Sequence, residues 1–484
     1  AVPPAAFSGN HAMTTVIDFL NTVFWGYVLI YGLLAVGLYF TWRLRFIQIV
    51  HFGEMFRTIL GARSTDKEGI SPFQALTVSL ASRVGTGNLA GVAVALYLGG
   101  AGAIFWMWMV ALVGMATAYS ESTLAQLYKT HGPQGLYRGG PAFYIAKGLK
   151  MPWLGVVFSI CLILSFGLVF NAVQANSIAD AMFGAFGVPK LVVGLVIAAI
   201  TGVVIFGGIK KIAVVAEIVV PFMAVAYLML AVYVVITNLG AVPGVISDII
   251  GSAFGFQEAA GGVTGGVMAA MLNGIKRGLF SNEAGMGSAP NIAAMATPVP
   301  HHPSSQGMVQ ALGVFIDTIL ICTATAIMIL LSGVLEPGSG LTGTQLTQTA
   351  LETHVGVFGR YLIAIASVFF AFTSIIGNYS YSENAMVYLG LGGKNGLTAL
   401  RVAVLAMVIW GAVQAVATVF NTADASMGLM ATINLIAILA LSGTVVKLTK
   451  DYFDQRRNGV EPMFHAKDYP EIADEIDHTI WTRD

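Results

Sequence analysis

The chain has 484 residues, 56% of them apolar and 10% charged, where an ordinary globular chain is about a quarter charged. That excludes a soluble domain, and a mean hydropathy of +0.79 with 56 glycines points to membrane helices that use glycine to approach one another closely. The 24 basic and 24 acidic residues balance, and without a basic stripe nucleic acid has no footing as a partner.

Residues 1–13 read as a tail or an added segment ahead of Met13, with no cleavable signal. A hydrocarbon core about 30 Å thick takes roughly 20 apolar residues per helix. On that rule eleven spans are expected, near 15–40, 71–98, 101–128, 153–182, 189–207, 212–238, 245–280, 307–333, 360–388, 400–420 and 425–447. Cys161 and Cys322 fall inside apolar runs and read as buried thiols.

Between the first two spans, Phe46, Ile49, Phe52, Phe56 and Ile59 share one helical face, which predicts an amphipathic helix on the membrane surface. Charge in the loops gives an independent check. Arg43, Arg45, Arg57, Arg63, Lys67, Lys129, Arg138, Lys147, Lys150, Lys210, Lys211, Lys276, Arg277, Lys394, Arg401 and the C-terminal basic residues all fall on one side of an eleven-span layout. Only Lys190 and Arg360 fall on the other, a bias of roughly ten to one. The N-terminus is therefore expected outside and the C-terminus in the cytoplasm. The tail from residue 451 reads as a solvated face or a short helix.

Within the second span, Gly85-Thr86-Gly87-Asn88-Leu89-Ala90 fits the G-x-G-x-x-A spacing of a dinucleotide-binding turn. That turn needs a preceding strand and an acidic residue about 20 positions on. Here both flanks are membrane-length apolar runs, and the corresponding position holds Met107. The glycines instead allow the helix to break, or let a neighbouring helix pack closely. A break inside a bilayer must face protein or a cavity, because lipid cannot satisfy the freed backbone groups.

A second glycine-rich interruption, "QEAAGGVTGGV" at 257–267, lies in the seventh span, five spans after the first. Five-helix units in succession have opposite orientation, so inverted repeats are expected, as in secondary transporters with binding between broken helices. The organisation is then a tail (1–13), an extra helix (14–42), a cytoplasmic amphipathic segment (43–69), a first repeat (70–244), an inverted second repeat (245–447) and a cytoplasmic tail (448–484). Half-helix N-termini suit anions and C-termini suit cations, so a zwitterion needs both.

"GTGNLAGVA" (85–93), "RGGPAFYIAKGL" (138–149), "VQANSIA" (173–179), "FGFQEAAGG" (254–262) and "RGLFSNEAGMGSAPN" (277–291) together resemble the bacterial and archaeal alanine or glycine:cation symporter family, from about residue 15 to 450. The resemblance implies an all-α, leucine-transporter-type fold of five plus five inverted helices with one extra N-terminal helix. It also implies sodium as the coupling ion, no other cofactor, and small neutral amino acids such as alanine and glycine as substrates, carried across the plasma (inner) membrane. One departure is Asn378, which follows Ile375-Ile376-Gly377 where some members carry tryptophan.

By that analogy the N–H groups of Thr86 and Gly87 hold the substrate carboxylate, and Asn88 lies near sodium. Phe170, Asn171 and Gln174 sit three or four apart on one face of the fourth span, with Gln174 the preferred contact for the amine; interhelical hydrogen bonding is the alternative for these amides. Thr373 and Ser374 are expected to face the Ala81 and Val84 carbonyls at a sodium site, or to bond their own helix backbone. Thr264 offers a further oxygen. Arg83 is expected at an inner gate, paired with Asp317 or Glu383, while Glu121, Glu217 and Asp180 read as interfacial. Glu258 is the titrating group that would serve proton coupling instead of sodium.

A membrane-embedded enzyme would need Ser/His pairs or His/carboxylate clusters, whereas the eight histidines, including His301-His302, fall in loops or tails. A channel usually offers a repeated pore-lining motif, and paired broken helices favour alternating access.

Overall fold

A computed structural model describes residues 8–60, 66, 68–255, 263–336 and 340–481. Its architecture is helical throughout, apart from a two-stranded antiparallel hairpin of Thr130–Gly132 and Leu136–Arg138 that the sequence reading did not foresee. Among the described residues, eight helices are long and apolar enough to cross a membrane: Thr15–Arg43, Gly102–Leu127, Pro152–Phe186, Gly208–Thr237, Pro303–Ser332, Val357–Tyr388, Lys394–Val413 and Val416–Ala440. Three shorter apolar helices, Gly87–Gly99, Lys190–Ile205 and Val242–Ala253, accompany them.

Several helices start where local chemistry demands it. Pro72, Pro152 and Pro303 occupy first-turn positions, where a missing N–H costs nothing. Ser71 and Gln74 form a reciprocal capping box. On Gly208–Thr237, the exposed side chains Val214, Ile218, Phe222, Val225, Met229, Val232 and Ile236 recur every three or four residues. At 1.5 Å per residue this stripe is about 33 Å long, the depth of a hydrocarbon core.

The second predicted span is two helices, Pro72–Arg83 and Gly87–Gly99, with the break at the expected glycines. The seventh is interrupted as well. It divides into Val242–Ala253 and Val263–Asn282, and residues 256–262 lie outside the described ones. From Val263 the chain is helical through the glycines at 265–266, and a second break among the described residues comes at 283–289, before Pro290–Ala293. There Glu283, Gly285 and Gly287 take positive φ values of 59°, 82° and 82°, which turn the chain out of the helix.

Glu121, read from sequence as interfacial, is the reason this turn is tolerated in the interior. It is fully buried, and its carboxylate accepts the Gly285 and Gly287 N–H groups, each at 3.1 Å, and the Asn434 amide at 2.7 Å. Asp180 pairs with Lys190 at 2.9 Å, and Glu217 accepts from Gln74 at 2.9 Å.

The tenth and eleventh spans begin six to nine residues earlier than expected, because Gln414 and Ala415 are extended (ψ 165° and 143°) and separate the two helices inside the predicted tenth span. Residues 47–60 form two short helices, Ile47–Val50 and Phe52–Leu60, instead of one. Positive φ at Arg45 and Phe46 turns the chain into the first, and its Ile47 and the second helix's Met55 are the buried apolar residues, beside buried Gln48 and Thr58, while Phe46, Ile49 and Phe56 face outward.

The tail is packed, contrary to the solvated reading. Trp481 is fully buried and donates to the Leu127 carbonyl at 3.1 Å, and the Phe464 N–H donates to the His301 carbonyl at 2.9 Å. His302 caps Pro303–Val314: its Nδ1 accepts the Ser304 N–H and its Nε2 meets Asp451 at 3.2 Å. Burial holds this imidazole below its ordinary pKa, with the Asp451 carboxylate opposing.

Two consequences are measurable. A Cβ on Gly411 would overlap the Ala172 backbone, whereas one on Gly443 would meet open space. Gly411→Ala should therefore lower the melting temperature in detergent, by the equivalent of about 1–3 kcal/mol of overpacking, and Gly443→Ala should not. Glu121→Leu strands two buried N–H groups at about 1–3 kcal/mol each. It should destabilise the protein more than Glu217→Leu in the same thermal assay.

Candidate functional site

The site is built around the first break. Pro72–Arg83 ends at Val84, whose N–H still reaches the Leu80 carbonyl at 2.7 Å but whose ψ of 80° leaves the helix. The freed groups find side chains from the following half-helix and from other helices. The Gly85 N–H donates to Asn88 Oδ1 at 2.9 Å. Thr86 donates twice to Gln174 Oε1, from its N–H at 2.9 Å and its hydroxyl at 2.6 Å. Ser374 donates its hydroxyl to the Ala81 carbonyl at 2.8 Å and also lies 3.0 Å from the Phe370 carbonyl.

Glycine is needed here for space. A Cβ on Gly85 would collide with Ser374 Oγ and come within 2.8 Å of Gln174 Oε1, and one on Gly87 would sit 3.0 Å from Ser281 Cα. The first break therefore rests directly on the C-terminal turn of Val263–Asn282.

The fourth-span residues converge as spacing suggested. Phe170 stacks between Phe166 at 4.4 Å and Phe280 at 4.6 Å, and Phe280 continues to Phe420 at 5.5 Å. Asn171 donates to the Gly167 carbonyl and accepts from Asn378 Nδ2, both at 3.0 Å. Phe170, Asn171, Gln174, Thr86, Asn88 and Ser374 are all buried.

Other expectations divide. Ser374 faces Ala81, but Thr373 turns its hydroxyl to the Phe369 and Phe370 carbonyls of its own helix, at 3.0 and 2.9 Å. Asn88 uses its oxygen on Gly85 and its amide on Asp317, at 2.8 Å to Oδ1 and 3.1 Å to the carbonyl. Glu258 and the Thr264 side chain lie outside the described residues.

Arg83 does not form the expected ion pair. Its guanidinium donates to the Gln310 carbonyl at 3.2 Å along the Gly313 face of Pro303–Ser332, and its Nε and Nη2 have no hydrogen-bond partner among the described residues. Glu383 is engaged instead by Arg138 at 3.3 Å and Arg401 at 4.0 Å. Asp317 is held by neutral donors: Asn88, Ser281 at 2.8 Å and Thr318 at 2.7 Å.

Sequence reading missed the residues that join the two breaks. Ser82, just before the first break, lies 2.6 Å from Glu283 Oε1 in the second and 2.6 Å from Asn378 Oδ1. Ser288 donates to Glu283 Oε2 at 2.6 Å. The available signal was a carboxylate inside the glycine-rich run "SNEAGMGSAPN" of an apolar chain.

Chemically, the arrangement offers an N–H and a hydroxyl at a helix N-terminus, with a ladder of amides and hydroxyls beside an aromatic wall. It suits a small polar solute with a negative end.

The chain matches the sodium:alanine symporter family over residues 10–466. It is 50% identical to the amino-acid carrier protein AlsT of Bacillus subtilis over 456 residues, 94% of this chain and 96% of that protein. It is 47% identical to the probable sodium/glutamine symporter GlnT of Bacillus subtilis (93% of each chain). It is 39% identical to the sodium/alanine symporter AgcS of Methanococcus maripaludis (92% of this chain, 98% of that protein). These relatives are transporters and not enzymes. With its apolar helices and buried polar breaks, the chain is a multi-pass membrane protein of the sodium:alanine symporter family.

Proposed function

We propose that the protein is a sodium-coupled importer of small neutral amino acids, alanine and glycine, working by alternating access in the plasma (inner) membrane. The fold in this reading is of the leucine-transporter type: eleven spans, ten of them a five-plus-five inverted repeat, with the N-terminus outside and the C-terminus in the cytoplasm. The broken pair Pro72–Arg83/Gly87–Gly99 and the divided seventh span, Val242–Ala253 and Val263–Asn282, support it.

The observation that carries the proposal is the Thr86 N–H and hydroxyl converging on one oxygen, that of Gln174. A substrate carboxylate presents the same acceptor with a full negative charge at the N-terminal end of Gly87–Gly99, and so displaces the neutral amide. Gln174 Oε1 is then free to accept from the substrate ammonium. Asn171 is adjacent, and the Phe170–Phe280 stack restricts the side chain to a small one.

For sodium, neutral oxygens suffice for a hard cation. The Ala81 carbonyl already faces Ser374 Oγ, with Val84 three residues beyond Ala81 and Thr373 adjacent to Ser374, and Asn88 and Thr264 are the remaining candidate ligands. One charge crossing about 100 mV supplies roughly 2.3 kcal/mol, and a tenfold gradient about 1.4 kcal/mol more. The sum of ~3.7 kcal/mol sustains a several-hundred-fold substrate gradient.

Glutamine is a second reading, favoured by the 47% identity to the probable sodium/glutamine symporter. Uptake of labelled alanine into proteoliposomes under an inward sodium gradient, a proton gradient or neither separates these readings. Sodium-driven uptake blocked by glycine is expected, and stronger competition by glutamine would reassign the substrate.

Gln174→Ala should weaken alanine binding at least tenfold, about 1.4 kcal/mol, in equilibrium binding while leaving membrane insertion intact. Ser374→Ala should raise the sodium concentration for half-maximal uptake severalfold, and more than Thr373→Ala, because the Thr373 hydroxyl is spent on its own helix.

A further inference from the structure

The contacts between the two breaks contain more close oxygens than hydroxyl protons. Ser82 Oγ lies 2.6 Å from Glu283 Oε1 and 2.6 Å from Asn378 Oδ1, yet one hydroxyl carries one proton. The direction of the hydrogen-bond chain is fixed at its far end. The Gly167 carbonyl only accepts, so Asn171 turns its NH2 toward it and its oxygen toward Asn378. Asn378 must then donate to Asn171 and present Oδ1 to Ser82, which gives that oxygen its hydroxyl proton. Nothing remains on Ser82 for the contact with Glu283, and Ser288 already supplies the other carboxylate oxygen. The missing proton belongs to Glu283.

A metal ion does not meet the same geometry. An octahedral shell with bonds of about 2.1 Å separates neighbouring oxygens by about 3.0 Å, whereas oxygens 2.6 Å apart are at the distance of a shared proton.

The surroundings point the same way. Four ionisable groups face this region from separate helices: Arg83 from Pro72–Arg83, Asp317 from Pro303–Ser332, Tyr381 from Val357–Tyr388, and Glu121 from Gly102–Leu127, which holds Gly285 and Gly287 just beyond Glu283. None of these closes an ion pair with Glu283. Arg83 keeps Nε and Nη2 without a hydrogen-bond partner among the described residues, and the fully buried Tyr381 hydroxyl faces Ser82 and Glu283. Three buried carboxylates share one guanidinium that touches none of them, an arrangement that favours a neutral form of at least one.

We propose that Glu283 is a proton-binding site that ties the second break to the first through Ser82, Asn378 and Asn171. With the proton on Oε1, Glu283 donates to Ser82, Ser82 to Asn378, and Asn378 to Asn171, one residue from Phe170. When that proton leaves to water, the only bond broken is the carboxyl O–H. Ser82 then swings its hydroxyl to the carboxylate, and Asn378 Oδ1 loses its donor. The proton state of the second break is thereby read at the fourth-span residues beside Gln174.

The full-length protein in nanodiscs tests this by infrared difference spectroscopy across a pH titration, an arm independent of any substrate. Wild type should lose one protonated-carboxyl C=O band on alkalinisation that Glu283→Gln lacks throughout. Equal protonated-carboxyl intensity in the two proteins at every pH would overturn the proposal. Ser82→Ala, which removes the acceptor of that proton, should shift the band, and an unshifted band would discard the relay.

The second arm rests on the symport reading and measures alanine uptake under a fixed sodium gradient from mildly acidic to mildly alkaline pH. Glu283→Gln supplies a permanent donor to Ser82, so the variant should show a flat profile where wild type varies. A variant that keeps the wild-type profile refutes the coupling. Absence of alanine uptake in both proteins would count against the substrate assignment, and the infrared arm would still decide Glu283.

Discussion

The structure depends on one constraint: a helix broken inside a membrane frees N–H and carbonyl groups that lipid cannot satisfy. Each break here is answered by side chains, most of them from other helices. Asn88, Gln174 and Ser374 serve the first, and Glu121 with Asn434 serves the second, where Asn434 also donates to the Gly285 carbonyl at 2.9 Å. Only Asn88 is local, three residues beyond the Gly85 N–H that it accepts; the other groups come from helices distant in sequence. The breaks therefore dictate which helices must be neighbours. Helices Pro152–Phe186, Val357–Tyr388 and Gly102–Leu127 are held beside them by hydrogen bonds as well as by packing.

Buried charge follows the same logic. A carboxylate in a low-dielectric interior is costly unless it is paired or fully hydrogen-bonded. Asp424 is paired with Arg277 and Glu383 with Arg138, whereas Glu121 and Asp317 are held by N–H and hydroxyl donors. The two solutions differ in consequence. An ion pair locks two helices together, while a carboxylate held by backbone N–H groups takes the place of missing helical hydrogen bonds. Glu121 is of the second kind, which explains its presence at a turn made by Glu283, Gly285 and Gly287.

Much of this was legible in the sequence where periodicity and glycine carry the signal. Most span positions, the first break and the convergence of Phe170, Asn171 and Gln174 required only apolar run length, helical spacing and the cost of a buried amide. The turn at 283–289 was not foreseen because glycine count alone does not separate a helix packing closely from one that stops, while most of the interruption expected at 257–267 lies outside the described residues. The distinction lies in positive φ at Glu283, Gly285 and Gly287 and in an acceptor, Glu121, more than 160 residues away. Arg83 was misassigned for a similar reason: a buried guanidinium suggests a carboxylate partner, but its nearest acceptor is a backbone carbonyl. The packed tail was invisible because its anchors, Phe464 and Trp481, are isolated apolar residues in a charged segment.

These contacts keep the two breaks from moving independently. Gly87 rests on Ser281, Asn88 and Ser281 share Asp317, and Ser82 reaches Glu283, so three links join a stretch of seven residues in one broken helix to three in the other. A carboxylate that displaced Gln174 from Thr86 would act on the middle of that stretch, and an ion beside the Ala81 carbonyl on its leading edge. Either would be felt at Glu283 and Ser281 through hydrogen bonds whose donors are already committed. Under the proposed symport, coupling between solute and ion would require no long pathway: both would act on the same short segment, which is hydrogen-bonded directly to the second break.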